Sequence, residues 1–225
     1  MTRIALLALI LFGSNFLFSQ NVKPVKETSD PAAKSLLDKV RKKYEGYKSL
    51  EMDFSLELEV PGQPTETQKG TFKSKGDSKY RLEMSDQTII SDGTATWIYL
   101  KKNNEVQIND ADTKGEQSLI SPKELMKMYQ KGEYLFALAG EETVGGKLVQ
   151  QIEFKPVKKS SEYSKMRLSI DKKTNQVVAI KAFAKDGGKY TFSVNKQTAD
   201  KSFDDSVFVW DKSKFPNVRV EDLRM

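Results

Sequence analysis

Residues 50–60 read Leu-Glu-Met-Asp-Phe-Ser-Leu-Glu-Leu-Glu-Val. Leu50, Met52, Phe54, Leu56, Leu58 and Val60 alternate with Glu51, Asp53, Ser55, Glu57 and Glu59, without one exception to the two-residue period. Successive side chains of an extended strand point to opposite faces, so this stretch is a long strand with one dry face and one wet face. A strand of that kind needs neighbours to pair with and an apolar partner to lie against its dry face.

Both flanks supply them. Upstream, Asp30-Pro31 opens a helix, the aspartate capping free N–H groups and the proline suiting the first helical position. Ala33, Leu36, Leu37, Val40, Tyr44 and Tyr47 then follow at steps of three and four, one continuous stripe. Downstream, the Pro61-Gly62-Gln63-Pro64 turn leads into strands at Lys69–Ser74, Lys79–Met84, Gln87–Ser91, Thr94–Leu100 and Glu105–Asn109. Ser121-Pro122 starts a second, shorter helix carrying Leu125, Met126, Met128 and Tyr129. Further strands are expected at Glu133–Leu138, Leu148–Pro156, Tyr163–Ile170, Gln176–Ala184 and Gly188–Asn195, joined by Gly145-Gly146, Asp171–Asn175 and Asp186-Gly187-Gly188. The expectation is about eleven mostly antiparallel strands in one domain, curled into a barrel or split into a sandwich. The amphipathic helix would cover a face or plug an open mouth.

The chain has 225 residues, 38% of them hydrophobic, enough for a sizeable core. It contains no histidine and no cysteine, which excludes Ser-His-Asp, Cys-His and His-metal arrangements, disulfides and thiolate-bound metals. Arg3, the apolar run Ile4–Phe12 and the small or polar residues after it describe a secretory signal peptide, residues 1–20, cleaved after Ser19 or Gln20. Residues 21–29 are read as a flexible leader and 30–225 as one domain. Arg3 is the sole charge in the leader peptide, so its removal lowers the net charge from +6 by one. Acids and bases are interspersed and no basic-aromatic module occurs, so nucleic acid is not an expected partner.

The search for catalytic chemistry is negative. Gly140–Lys147 faintly resembles a phosphate loop, but its lysine spacing is wrong and Leu148 stands where Ser or Thr belongs, so a turn at a strand end is expected. Glu141 and Glu142 would point to opposite strand faces, and Asp204-Asp205 and Glu221-Asp222 are read as surface loops rather than calcium ligands. No cofactor, no metal and no enzymatic activity are expected. A carboxylate- or lysine-based hydrolase remains the enzymatic rival. What stands out is apolar: Phe72, Tyr80, Leu82, Met84, Trp97 and Tyr99 occupy alternating positions in successive strands beside Met52, Phe54 and Leu56. These residues make either an ordinary core or a lined cavity for an acyl chain, and periodicity does not choose between them.

Gly70-Thr71-Phe72-Lys73-Ser74-Lys75, Lys79-Tyr80-Arg81-Leu82-Glu83-Met84, Ile89-Ile90-Ser91-Asp92-Gly93, Trp97-Ile98-Tyr99 and Val106, in that order, resemble the periplasmic outer-membrane lipoprotein carrier proteins, the LolA family. The ending Asp211–Leu223 resembles that of members from Bacteroidetes-like bacteria. The resemblance implies a half-open barrel of eleven antiparallel strands, with an α-helical lid over an apolar cavity. It also implies a job: taking triacylated lipoproteins from an inner-membrane ABC-type release complex to an outer-membrane receptor, as a monomer in the periplasm. The expected lining is Leu37, Val40, Met52, Phe54, Leu56, Phe72, Tyr80, Leu82, Met84, Trp97 and Tyr99, with Tyr80 and Leu82 at the mouth. Gly76 stands where the family carries an arginine that helps to hold the lid closed, and Arg81 would point away from Tyr80 and Leu82. A general extracytoplasmic lipid-binding or lipoprotein-sensing module is the alternative on the same fold.

Overall fold

The structure, a computed structural model, describes residues 28–111, 129–215 and 217–224. The expected signal peptide, most of the leader and the helix expected from Ser121, apart from its Tyr129 in a single 3-10 turn, lie outside the described residues.

Helix α1 (Pro31–Glu45) starts where the sequence places it: the Asp30 carboxylate accepts from the Ala32 N–H at 2.8 Å, and Pro31 fills the first turn. It is followed by β1 (Ser49–Glu59), β2 (Glu66–Lys75), β3 (Lys79–Met84), β4 (Gln87–Asp92), β5 (Ala95–Leu100) and β6 (Glu105–Asp110). After the second described segment opens, β7 (Tyr134–Val144), β8 (Lys147–Pro156), β9 (Tyr163–Asp171), β10 (Val177–Ala184) and β11 (Lys189–Ala199) complete the antiparallel set. The eleven expected strands are present, most within a few residues of their expected bounds; β7 runs six residues past the expected Leu138, so that Gly140–Val144, expected in a turn, is strand and only Gly145-Gly146 turns. A twelfth, β12 (Arg219–Asp222), pairs parallel to β6 and was not foreseen. Glu221 and Asp222 therefore stand in an edge strand, not in a loop. Four residues are too short for a periodic signal, and the partner β6 is over a hundred positions away.

All twelve strands form one sheet in the order β12-β6-β5-β4-β3-β2-β1-β11-β10-β9-β8-β7. The long β1 lies at its centre, between β2 and β11. The end strands β12 and β7 do not pair with each other, so the curled sheet is an open barrel. Direct antiparallel partners share a face, and tracing partners from β1 outwards defines two surfaces. The inner one carries Leu50, Met52, Phe54, Leu56 and Leu58, and the helix packs against it. The outer one carries the acidic residues of β1, matched by cations: Glu59 meets Lys181 at 3.0 Å and Lys189 at 3.3 Å, and Glu51 meets Lys201 at 2.6 Å. Such exposed pairs add little stability, but they keep the wet face wet.

Helix α1 also protects one open edge. The Asp30 N–H donates to the Phe136 carbonyl at 2.8 Å, and the Leu138 N–H donates to the Asp30 carboxylate at 3.3 Å. One residue thus caps the helix and satisfies the edge of β7, whose unpaired backbone groups would otherwise be a template for aggregation.

Candidate functional site

The inner face holds two apolar clusters. The larger unites Ala33, Leu37, Val40 and Tyr44 of the helix with Leu50, Met52, Phe136, Ile152, Phe154, Met166, Leu168, Ile170, Val177 and Val194 from the sheet. Leu37 and Val40 are fully enclosed. The smaller unites Phe54, Leu82 and Met84, ringed by half-buried Leu56, Phe72, Ile89 and Phe192, and contains no helix residue. Phe72 and Phe192 touch both clusters and make the apolar surface continuous.

Close packing in the smaller cluster rests on one glycine. A Cβ at Gly70 would lie 2.4 Å from the Phe54 ring and 2.6 Å from the Glu83 carbonyl oxygen. The bare backbone of β2 lets that ring lie flat across the strand. Phe54 is also stacked on Phe192, centroids 4.9 Å apart, while Phe72 stacks on Tyr80 at 6.4 Å.

Two tyrosines fasten the helix. The Tyr44 hydroxyl, buried, accepts from the Val177 N–H at 3.1 Å and donates to Gln197 Oε1 at 2.9 Å. Burial pushes its pKa up to about 12. At the other side, the Tyr129 hydroxyl donates to Asp38 Oδ1 at 2.5 Å and accepts from Arg41 Nε at 3.1 Å. Burial, then the Asp38 carboxylate, raises Tyr129 to about 12, while hydrogen bonds from Lys34 and Tyr129 hold Asp38 below its usual value. Gly76 lies in the β2–β3 turn with φ +63°, a left-handed conformation that favours glycine.

Of the eleven expected lining residues, seven lie on the inner face of the sheet (Met52, Phe54, Leu56, Phe72, Tyr80, Leu82 and Met84), and Leu37 and Val40 lie on the helix face packed against it. Two qualifications follow from burial. Leu82 is 5% exposed and belongs to a packed cluster rather than to a mouth, whereas Tyr80 is half-buried. Arg81 points to the outer face as expected, its guanidinium 3.4 Å from the Val207 carbonyl.

Trp97 and Tyr99 are not part of the lining. Leu82 pairs with Ile89 and Ile89 with Ile98, so Ile98 shares the inner face and its neighbours Trp97 and Tyr99 point outwards. Alternation tells which residues of one strand share a face, but the hairpin turns set which parity faces inwards in the next strand. There Tyr99 packs on Trp210 and Phe215, at 5.3 and 4.8 Å, and those two rings stack at 4.3 Å. Residues 203–215 thus form a strap over the outside of β3–β6. It buries Phe203 and Phe208 and is tied down by Asp205, which meets Lys75 at 2.6 Å and Lys79 at 2.8 Å. Those two lysines hold the Asp205 pKa at about 2. The pair Asp204-Asp205 is therefore engaged by a capped turn and two lysines, and among the described residues no acidic cluster is arranged to hold a metal ion.

Ile89, Phe192 and Gly70 also lie on the inner face, and the sequence pattern did not single them out. Pairing each hairpin about its turn would have found Ile89 opposite Leu82; Phe192 needed the β1–β11 register. Glu141 and Glu142 lie in β7 before the Gly145-Gly146 turn, with Glu141 on Lys172 at 2.5 Å and Glu142 on Gln151, and they form no acid–base pair.

Comparison with known proteins bears on this geometry. The model of the family "Outer membrane lipoprotein carrier protein LolA" matches residues 15–211. The chain is 28% identical over 157 residues to the uncharacterized protein MJ0687 of Methanocaldococcus jannaschii, a match covering 68% of this chain and 45% of that protein. The chain thus spans about half the length of this curated relative. An uncharacterized conserved protein from Thermus thermophilus shares the fold with a TM-score of 0.57 at 12% identity, covering 85% of this chain and 99% of that one. MucB shares it with a TM-score of 0.51 at 14% identity, over 81% of this chain and 64% of its own. An open sheet with a helix on its apolar inner face, and a family match across most of its length, place this chain in the LolA outer membrane lipoprotein carrier family.

Proposed function

We propose that the protein is a periplasmic carrier that binds the acyl chains of triacylated lipoproteins on the inner face of its sheet and moves them from the inner to the outer membrane. One observation carries this reading. The apolar cluster of Phe54, Leu82 and Met84, with half-buried Leu56, Phe72, Ile89 and Phe192, extends the inner face beyond the residues the helix packs. Phe54, Leu82 and Met84 are its packed base, and the half-buried rim of Leu56, Phe72, Ile89 and Phe192 is the apolar surface left for a ligand. The partners in this reading are an inner-membrane ABC-type release complex, the lipoprotein cargo and an outer-membrane receptor. The apolar run after Arg3 is the export signal, and among the described residues no helix is long and apolar enough to cross a membrane.

The energetics favour a shallow site. Each buried methylene is worth about 0.8 kcal/mol, so three chains of some fifteen methylenes have roughly 36 kcal/mol at stake against water. Non-covalent affinity saturates near about 18–21 kcal/mol, so the effective competitor is another apolar surface rather than water. A face that is half-buried before cargo arrives gains little from closure and can give the chains up.

The test is a release assay on spheroplasts holding mature triacylated lipoprotein. The purified protein should bring lipoprotein into the soluble fraction as a stoichiometric complex, seen by native mass spectrometry. Recovery of free fatty acid or phospholipid alone would replace this reading with a general lipid binder. Binding of a lipoprotein peptide without its acyl chains would favour a sensing module.

A further inference from the structure

We propose, resting on the carrier reading, that a row of polar side chains on the inner face binds the ester and amide carbonyls at the head of the lipid anchor, with Thr96 as its central donor. The pairing places Ser74 opposite Tyr80, Tyr80 opposite Ser91, Ser91 opposite Thr96 and Thr96 opposite Asn109. Five successive strands therefore each present one hydrogen-bonding side chain along a single line. With strands about 4.8 Å apart, the line is about 19 Å long. The next line along the same strands, two residues away, reads Phe72, Leu82, Ile89 and Ile98 before it ends at Gln107. It lies about 7 Å from the first. The inner face is thus sorted into an apolar line and a polar one, side by side.

One member of the polar line, Thr96, is unsatisfied. Its residue is 8% exposed, and its Oγ1 has no hydrogen-bond partner. A buried hydroxyl without a partner is costly, and valine would fill the same volume without the cost. Ser91 beside it is 2% exposed, and its Oγ accepts from the Gly93 N–H at 3.2 Å, which leaves the hydroxyl proton to donate. Two neighbouring hydroxyls offering donors beside an apolar line match a ligand that presents carbonyl acceptors. Hydrocarbon has none. The acyl esters and the amide at the head of a triacylated lipid anchor carry carbonyl oxygens next to the first methylenes, so a head held on one line leaves its chains to run onto the other, about 7 Å away. The polar line therefore fixes where the head rests, and the apolar line receives the chains.

The experiment titrates wild type, Thr96→Val and Thr96→Ser with a synthetic triacylated lipopeptide and, separately, with the apolar dye N-phenyl-1-naphthylamine. Thr96→Val should weaken lipopeptide binding roughly tenfold, the loss of one buried donor, while dye affinity stays unchanged and the melting temperature does not fall. Thr96→Ser, which keeps the hydroxyl, should stay within about twofold of wild type. Equal lipopeptide binding by all three proteins overturns the polar row and leaves the carrier reading standing. An equal loss for dye and lipopeptide also overturns it, since packing alone would then be responsible. A wild type that binds dye but no lipopeptide overturns the carrier reading and the row with it. Should Thr96→Val not fold, Asn109→Leu at the half-buried end of the line makes the same test, with the same outcomes.

Discussion

Replacing Tyr44 with Phe removes one oxygen and tests whether the helix is fastened as described. The ring stays, so the larger apolar cluster keeps its volume. What is lost is the acceptor for the Val177 N–H, in a residue 2% exposed, and the donor to Gln197. An orphaned buried amide costs about 1–3 kcal/mol, and Gln197 Oε1 loses its donor as well. The expected loss is therefore about 2 kcal/mol, or about 4–8 °C in melting temperature for a domain of this size.

The pH dependence supplies a second signature. Burial raises the Tyr44 pKa from 10.0 to about 12, so its contribution is complete below pH 10 and is lost as pH rises towards 12. Two pKa units correspond to about 3 kcal/mol. Wild type should lose that much from this group across the window, and Tyr44→Phe should not. The gap between the two proteins should thus narrow above pH 10, while Tyr129 titrates alike in both. Urea unfolding at pH 8 and pH 11, by which about half of that loss has accrued, with apolar dye binding alongside, makes the measurement. Dye binding should rise in the variant as the helix loosens. A stability change under about 0.5 kcal/mol at pH 8, with dye binding unaltered, would refute the assigned anchor.

Leu82→Glu buries a carboxylate between Phe54 and Met84 and should cost several kcal/mol, leaving the variant unfolded or melting far below wild type by circular dichroism; a wild-type melt would mean that the position opens to water. Gly70→Val drives its side chain into the Phe54 ring and the Glu83 carbonyl, and denaturant titration should show a loss of at least about 2 kcal/mol, with a neutral result contradicting the close approach. Tyr99→Ala should loosen the strap, speeding proteolysis after Trp210 and lowering stability, yet leave dye affinity intact; a matching loss of dye affinity would return Tyr99 to the lining. Asp30 is held below its ordinary value by the Ala32 and Leu138 N–H groups, so its stabilisation is present above about pH 4 and lost in acid as the group protonates. Asp30→Asn should flatten that acid limb, and hydrogen exchange at Leu138 should quicken; an unchanged acid midpoint would argue against the edge contact.

The sequence by itself determined the elements. Period two over residues 50–60, period three-to-four over Ala33 to Tyr47, and the Asp30-Pro31 start each depend on neighbours a few positions away, and each element formed where it was expected. The sorting of β1 into a dry and a wet face was legible for the same reason, as was the separation of Arg81 from Leu82. The tertiary structure alone decided how faces continue from strand to strand. Side-chain parity in β5 depends on the lengths of the turns before it, which is why Ile98 faces inwards and Trp97 and Tyr99 do not. It alone decided that β12 returns beside β6, that residues 203–215 cover the outside of β3–β6, and that Tyr44 meets Val177 across more than a hundred residues. Those contacts depend on chain-distant surfaces meeting, and one-dimensional periodicity carries no record of distance across the fold.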